Sequence, residues 1–509
     1  MPDITLNEFS GNCFEEILEK LSTAIDPLYY GNKTREYLRR YITPKCIMVQ
    51  IEFPYYDLEY LSSVYSYYIK ATKHTKRECY RLHFYINSEN KIEKKYMGYM
   101  VLRSTPQMHI GRIQAAPELF IKDSAFLITQ KYESNIMGLK HCVKCFQFLK
   151  QDPEVAMCAQ VATWAIVEHA TRINRNVISR KIAEITDMTW TFSERKIPAK
   201  GLTAQNIMEV LTSSGLFPIV IGNTRNVASG DSSRELFRNE VLAYIESGIP
   251  VIGFNAENRH AICLVGHGKL REFENFYDEK FTKFFQKNQE YFTNNKDEII
   301  YSNFILNNKF ISSVIVNDDN YAPYLEMPFN IELRLNTSQK SCGNDNIRIS
   351  YSMSEMNGFI VPLSEKIYLS YHDVYKATSS YILSHRNDFP EKAVVRIYLT
   401  ESAKFKTHAL EKITDKNNEI LSDIICKLCM SMYVWCVEIS SPEHYKDSNV
   451  DCIFIFDSTR HSKEIEPWIL VQTLSCIKHF NGEEFSESKH PGIMPYAQYK
   501  CNLEGFHNV

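Results

Sequence analysis

Apolar residues come along this chain in short blocks divided by polar turns, and the character of the blocks changes twice. Up to about residue 145, runs such as CIMVQIEF, YRLHFYI and YMGYMVL are short and rich in β-branched and aromatic residues, which predicts strands within a mixed α and β domain. Beyond residue 146 the segment MCAQVATWAIVEHA repeats Cys158, Ala162, Ala165, Ile166 and His169 at helical spacing and is apolar on most other faces too. A helix of that kind belongs in a core, covered on nearly all sides. GIPVIGF, HAICLVG (260–266) and ISSVIV (311–316) follow as short apolar runs bounded by Gly, Pro and Asn and read as buried strands, the last leading into Asn317-Asp318-Asp319-Asn320.

Between the second and third of these strands, residues 271–310 hold eleven Phe or Tyr among many charges. Phe281, Phe284, Phe285, Tyr291 and Phe292 fall near one helical face, so this stretch is expected to be an inserted helical element packing its aromatic stripe on the body. From residue 331 to the end, VVRIYLT, YVWCVEI and CIFIFD read as strands and WILVQTLSCIKHF as a helix, an α/β unit. The expected class is therefore α+β in three domains, 1–145, 146–330 and 331–509. A length of 509 residues agrees, since domains ordinarily run to roughly 100–200 residues.

Composition narrows the function classes. Hydrophobic residues make up 44% and charged residues 23%, which excludes a disordered or fibrous chain. A formal charge of −3 gives no global field for a polyanion. Residues 70–95 do gather eight Lys or Arg against three Glu, with Tyr80, Phe84 and Tyr85 interleaved, but no RNA-binding signature accompanies them and a solvated face is the expectation. The first twenty residues carry acids where an export signal needs a basic region and an apolar run, and no stretch of ~18 apolar residues occurs, so a cytoplasmic protein without a membrane span is expected. Fourteen cysteines are too few for a disulfide scaffold. The two CxxC pairs, Cys142/Cys145 and Cys426/Cys429, lie far beyond the ~15–20 residues that separate the halves of a zinc ribbon, so neither a metal nor a cofactor is expected.

Chemistry concentrates in the second region. A cysteine nucleophile needs positive charge nearby, from a helix N-terminus or an imidazolium. Cys158 lies near the start of the buried helix: Asp152-Pro153 would cap it a turn or more upstream, whereas an opening at Met157 would set the macrodipole directly on the sulfur. His260, where a loop enters an apolar strand, is the candidate base, and Asp318 or Asn317 at the end of a neighbouring strand can accept its other ring proton. Gln151, seven residues before Cys158, can supply an amide to a developing oxyanion. His169 and His267 are poorer bases, the first because eleven helical residues place it about 16 Å from Cys158 and the second because it ends its strand.

Gln151 to His169, then Gly248-Ile249-Pro250-Val251-Ile252 and His260-Ala261-Ile262-Cys263-Leu264-Val265-Gly266-His267-Gly268, resemble the papain-like cysteine peptidases, with the bacteriocin-processing (double-glycine leader) peptidases as the nearest branch. Carried over by position, the resemblance implies Cys158 as nucleophile, His260 as base, Asp318 as orienting carboxylate and Gln151 as oxyanion amide. It covers 146–330 and departs from that branch at Ala159, where those peptidases have Gly, and at Gln151, which lies one residue farther from the Cys. It implies a hydrolase that cuts a peptide or amide bond of a protein or peptide substrate through a thioester. Deamidation, transglutamination and isopeptide cleavage share that chemistry, and a catalytically inactive binding protein on the same fold is the reading from another class.

Overall fold

A computed structural model of the chain describes residues 4–70, 75–88, 93–105, 108–121, 123–190, 199–222, 231–255, 259–268, 304–329, 351–413, 418–461, 467–489 and 494–506, with backbone alone over 231–236. It mixes helix and strand throughout and is built on three large sheets. No helix among the described residues is long and apolar enough to cross a membrane.

The first sheet is an antiparallel meander of Thr5–Ser10, Cys46–Tyr55, Cys79–Asn87, Lys94–Leu102 and Ile110–Ala115, closed by Phe148–Leu149. Strand alternation sends Met100 and Leu102 to one face, under the helices Phe14–Ala24 and Asn32–Tyr41, and Tyr99 and Val101 to the other, under Leu58–Ser66. Burial on both faces explains why these strands read as nearly continuous apolar runs. The basic stretch at 70–95 contributes to this sheet, and the expected solvated face holds only in part. Arg81 is buried and paired with Glu52, and Phe84 and Tyr85 point into the core; Lys73 and Lys91 lie outside the described residues.

The second sheet carries the candidate site. Its strands run Phe217–Gly222, Gly358–Leu363, Val251–Asn255, His260–Gly268, Ser313–Asn317 and Leu325–Pro328, all antiparallel. Ala261, Cys263 and Val265 face the helix Cys158–Ile173, while Ile262 and Leu264 face the helix Asp231–Glu246 on the other side. One edge of the His260–Gly268 strand is shared: Val251–Asn255 pairs with its start and Ala125–Leu127 with its end, while Ser313–Asn317 pairs along the other edge with a bulge at Leu264/Gly266. Gly266 is required there, because a Cβ would stand 2.2 Å from the Phe126 carbonyl oxygen.

The third sheet joins Phe304–Leu306, Ala393–Glu401, Tyr433–Ser440, Cys452–Asp457, Trp468–Gln472, Cys476–Phe480 and Phe485–Lys489. Its inner face packs on the Asp231–Glu246 helix, so that helix lies between two sheets, and its outer face is covered by Ser402–Lys412 and Glu419–Lys427.

Two expectations differ from this architecture. The sheets do not follow the boundaries at 145 and 330: Gly358–Leu363, Ala125–Leu127 and Glu504–Phe506 all belong to the second sheet, and Phe304–Leu306 to the third. An apolar run announces a strand but not its partner. WILVQTLSCIKHF is not a helix but a hairpin of Trp468–Gln472 and Cys476–Phe480, paired Leu470 to His479, in which the Thr473 hydroxyl accepts from the Cys476 backbone N–H at 3.2 Å and caps the turn. Its β-branched Ile469, Val471 and Ile477 favour that outcome. Of the 271–310 insertion only the tail, Phe304 to Phe310, is among the described residues; the aromatic face Phe281, Phe284, Phe285, Tyr291 and Phe292 lies outside them.

Candidate active site

The helix Cys158–Ile173 opens at the cysteine, with Met157 in extended conformation at the cap position and no side chain capping the first turn. Of the two starts that the sequence allows, the structure takes the later one, because Asp152 is used elsewhere. Its carbonyl accepts from the Ala156 N–H at 2.8 Å, and its carboxylate accepts from the Tyr68 hydroxyl at 2.5 Å and the Glu154 N–H at 3.2 Å. This closed turn stops short of the helix and leaves first-turn N–H groups beside the sulfur, where the macrodipole favours negative charge. Ala162 and Ala165 face the sheet with small side chains, so the helix sits close on Ala261 and Cys263.

His260 begins its strand opposite Asn255. Arg259, just before it, occupies the left-handed region at φ 49°, and its carbonyl accepts from the Cys158 Sγ at 3.8 Å. The thiol also lies near enough to the imidazole to raise its pKa. The other contact of the ring is Asp318, whose Oδ1 lies 3.1 Å from Nε2. Asp318 is fully buried at the end of the Ser313–Asn317 strand and has its oxygens filled: Oδ1 also accepts from the Asn320 N–H at 2.9 Å, and Oδ2 accepts from the Tyr351 hydroxyl. The Tyr351 ring meets the imidazole edge-on at 5.9 Å.

Electrostatics follow from these contacts. Burial alone would lower the His260 pKa, but the hydrogen bonds with Asp318 and Cys158 and the charges of Asp318 and Asp319 raise it to about 10. Asp318 would be raised by burial, and its bond to His260, together with those from Tyr351 and Asn320, holds it below the usual carboxylate value. The two therefore form an ion pair across the neutral range.

Of the residues singled out from sequence, Cys158, His260 and Asp318 come together. Asn317 does not orient the ring: its Oδ1 accepts from the Tyr324 N–H at 2.9 Å, and alternation turns it to the opposite side of the strand, against a small cavity beside Cys158. Gln151 reaches the rim through Asn320. Its Nε2 donates to Asn320 Oδ1, while its carbonyl accepts from buried Arg103 at 2.9 Å. Asn320 Nδ2 in turn lies 3.3 and 3.4 Å from the two His260 ring nitrogens. His169 is fully enclosed, stacked on Phe146, and driven by burial to about 3. His267 is bonded to Glu246.

Sequence reasoning did not assign Asn320, Arg259 or Tyr351. Asn320 was visible as the last residue of the Asn-Asp-Asp-Asn turn. Tyr351 follows the Ser313–Asn317 strand by more than thirty residues and carries no local signal.

His260, Asp318 and Asp319 are the one group of metal-type donors among the described residues whose atoms all lie within 4.8 Å of one another. Both Asp318 oxygens already accept protein hydrogen bonds, and a cation would have to displace the bond that orients the imidazole. The donor set fits ring orientation rather than a metal centre. No family model matches the chain, and no curated protein or solved structure matches it.

Proposed function

We propose that this protein is a papain-like cysteine hydrolase that cleaves a peptide or amide bond. The observation that carries the reading is the arrangement of Cys158 at a bare helix N-terminus, beside an imidazole whose other nitrogen is held by a buried carboxylate. A Cys–His–Asp order of roles on a helix and two adjacent strands is what thiolate acyl chemistry requires.

The Cys158 sulfur attacks the carbonyl carbon, and the developing oxyanion meets the first-turn N–H groups and the Gln151 amide once that amide leaves Asn320. Protonated His260 gives its proton to the leaving nitrogen as the C–N bond breaks. Water then attacks the thioester, His260 takes a proton from it, and the C–S bond breaks to release the acid and regenerate the ion pair. Asp318 holds the ring in place and balances its charge at every step. Free cysteines throughout the described residues fit a reducing compartment such as the cytoplasm.

The test needs no knowledge of substrate. With iodoacetamide at pH 5–6 and peptide mapping, Cys158 is expected to be modified far faster than the exposed Cys13, Cys142, Cys429 and Cys501, and His260→Ala is expected to abolish the difference. Modification of Cys158 no faster than those four would overturn the hydrolase reading and leave a binding protein.

A further inference from the structure

Beside the nucleophile lies a small pocket of about 10 Å³. Its walls are Cys158, Ala162 and Ala261 together with three polar residues, Gln147, Asn317 and Asp319. Each of the three is more than nine-tenths buried, and each has one atom with no protein partner: Gln147 Oε1, Asn317 Nδ2 and Asp319 Oδ2. Their remaining polar atoms are not all idle. Gln147 Nε2 donates to Gln114 Oε1 at 2.8 Å, and Asn317 Oδ1 accepts from Tyr324. Three polar residues, each with one unpaired buried atom, line this one small space among otherwise apolar walls and mark a polar cell within it. The space is that of about one water molecule, and the partners suit one: an amide donor, a carbonyl acceptor and a carboxyl that serves as either.

We propose that Asp319 is a positioning residue of the Cys158–His260 site, which acts on the imidazole from this cell, behind the nucleophile, with one internal water joining it to Asn317 and Gln147. The inference rests on the hydrolase reading for its meaning but not for its measurement. Asp319 adjoins Asp318 in sequence and its donor atoms lie within 4.8 Å of those of His260. The charged and titratable groups that face it are Cys158 from the helix, His260 from its strand, Asp318 and Tyr351, and buried Lys150, whose Nζ donates to the Tyr321 carbonyl at 2.7 Å. Burial and the Asp318 charge push the Asp319 carboxyl up to about 7 against the pull of His260 and Lys150, and burial brings Lys150 down to about 8. In acid, Asp319 carries its proton and leaves His260 to Asp318 alone. Above neutrality it becomes a second anion beside the imidazolium.

The effect of Asp319→Asn is therefore one-sided. The isosteric amide keeps the water and removes the charge, so the His260 titration, followed by NMR of the imidazole, is expected to move down from about 10 by about one unit. A role confined to packing would leave the midpoint where it was, and an unmoved midpoint overturns the proposal. A crystal structure of the unaltered protein is expected to show one ordered water between Asn317 Nδ2, Gln147 Oε1 and Asp319 Oδ2, and a dry cell would overturn that half. Neither measurement uses the reactivity of Cys158, so a failure of the hydrolase reading would be seen separately, in the alkylation experiment.

Discussion

The strand His260–Gly268 carries a histidine at each end, and each histidine is paired with a buried carboxylate. Asp318 stands 3.1 Å from His260 Nε2, and Glu246 stands 2.8 Å from His267 Nε2. Only one of these pairs stands beside a thiol. At the far end the His267 Nδ1 is also committed, to the Gly268 carbonyl at 2.7 Å, and the ring is stacked on Phe126. Glu246 is shared with Arg396, which reaches on to Glu438. Burial would raise the Glu246 carboxyl, but Arg396 and His267 bring it down to about 2. Every polar atom there has a fixed partner, and the network ties the second sheet to the third.

At the near end the carboxylate fixes one ring nitrogen and the rest of the ring remains available to a thiol and to an exposed turn. The side chain of His260 is 11% exposed against 3% for His267. A histidine bound to a carboxylate is thus no sign of chemistry by itself. What separates the two is a ring met by the exposed Asn320 side chain in place of a fixed backbone acceptor, partial access, and a thiol delivered by a helix start.

The widest separation between the ends comes from deleting each imidazole. His260→Ala should abolish the preferential alkylation of Cys158 at pH 5.5. Any hydrolysis by the folded fraction should fall by about 10⁴-fold or more. His267→Ala should do the reverse. Removing one member of a buried charge network costs about 3–5 kcal/mol of stability, read as a lower urea midpoint, while Cys158 in the folded fraction keeps its reactivity. Loss of reactivity in folded His267→Ala protein would collapse the distinction.

Asp318→Asn tests the near end more gently. A hydrogen bond to a charged group is worth about 1.5–3 kcal/mol, so hydrolysis should drop by about 10²-fold. The pH profile carries the sharper evidence. The imidazolium form of His260 is lost as pH rises through its titration, at about 10. Without the Asp318 charge, that descending limb should move towards the ordinary histidine value of 6.5. A limb left at about 10 in Asp318→Asn would mean that another group holds the ring.

Much of this near end was legible before any coordinates. Cys158, His260 and Asp318 announced themselves because each is a polar residue at the border of an apolar run, and such borders become element ends. The strands on either side were read correctly for the same reason. The cap of the Cys158–Ile173 helix was not decidable, since Asp152 is a good cap residue until Tyr68, some eighty positions earlier, claims its carboxylate. The far end was opaque: Glu246, Arg396 and Glu438 sit in separate helical and strand runs that nothing in their local sequence connects. Strand exchange between the expected domains was opaque for the same physical reason, because pairing is a long-range choice. Tyr351 belongs to this group, a single tyrosine whose role depends entirely on what it meets.

Tyr351→Phe makes the smallest and most discriminating change. It deletes the hydroxyl that donates to Asp318 Oδ2 and keeps the ring that meets His260 edge-on. Asp318 retains the Asn320 N–H and the imidazole, so the orientation of the ring survives and hydrolysis should fall by no more than about tenfold, ~1.4 kcal/mol. The sign of the pH effect separates it from Asp318→Asn. A carboxylate relieved of one donor concentrates its charge on the remaining partners, so the His260 titration should move up and the alkaline limb with it. Measured side by side, the two substitutions should shift that limb in opposite directions. A downward shift in both would mean that Tyr351 acts by holding Asp318 in place and not by sharing its charge. The far end offers no such graded test, since the second partner of Glu246 is a full cation whose removal strains the fold itself.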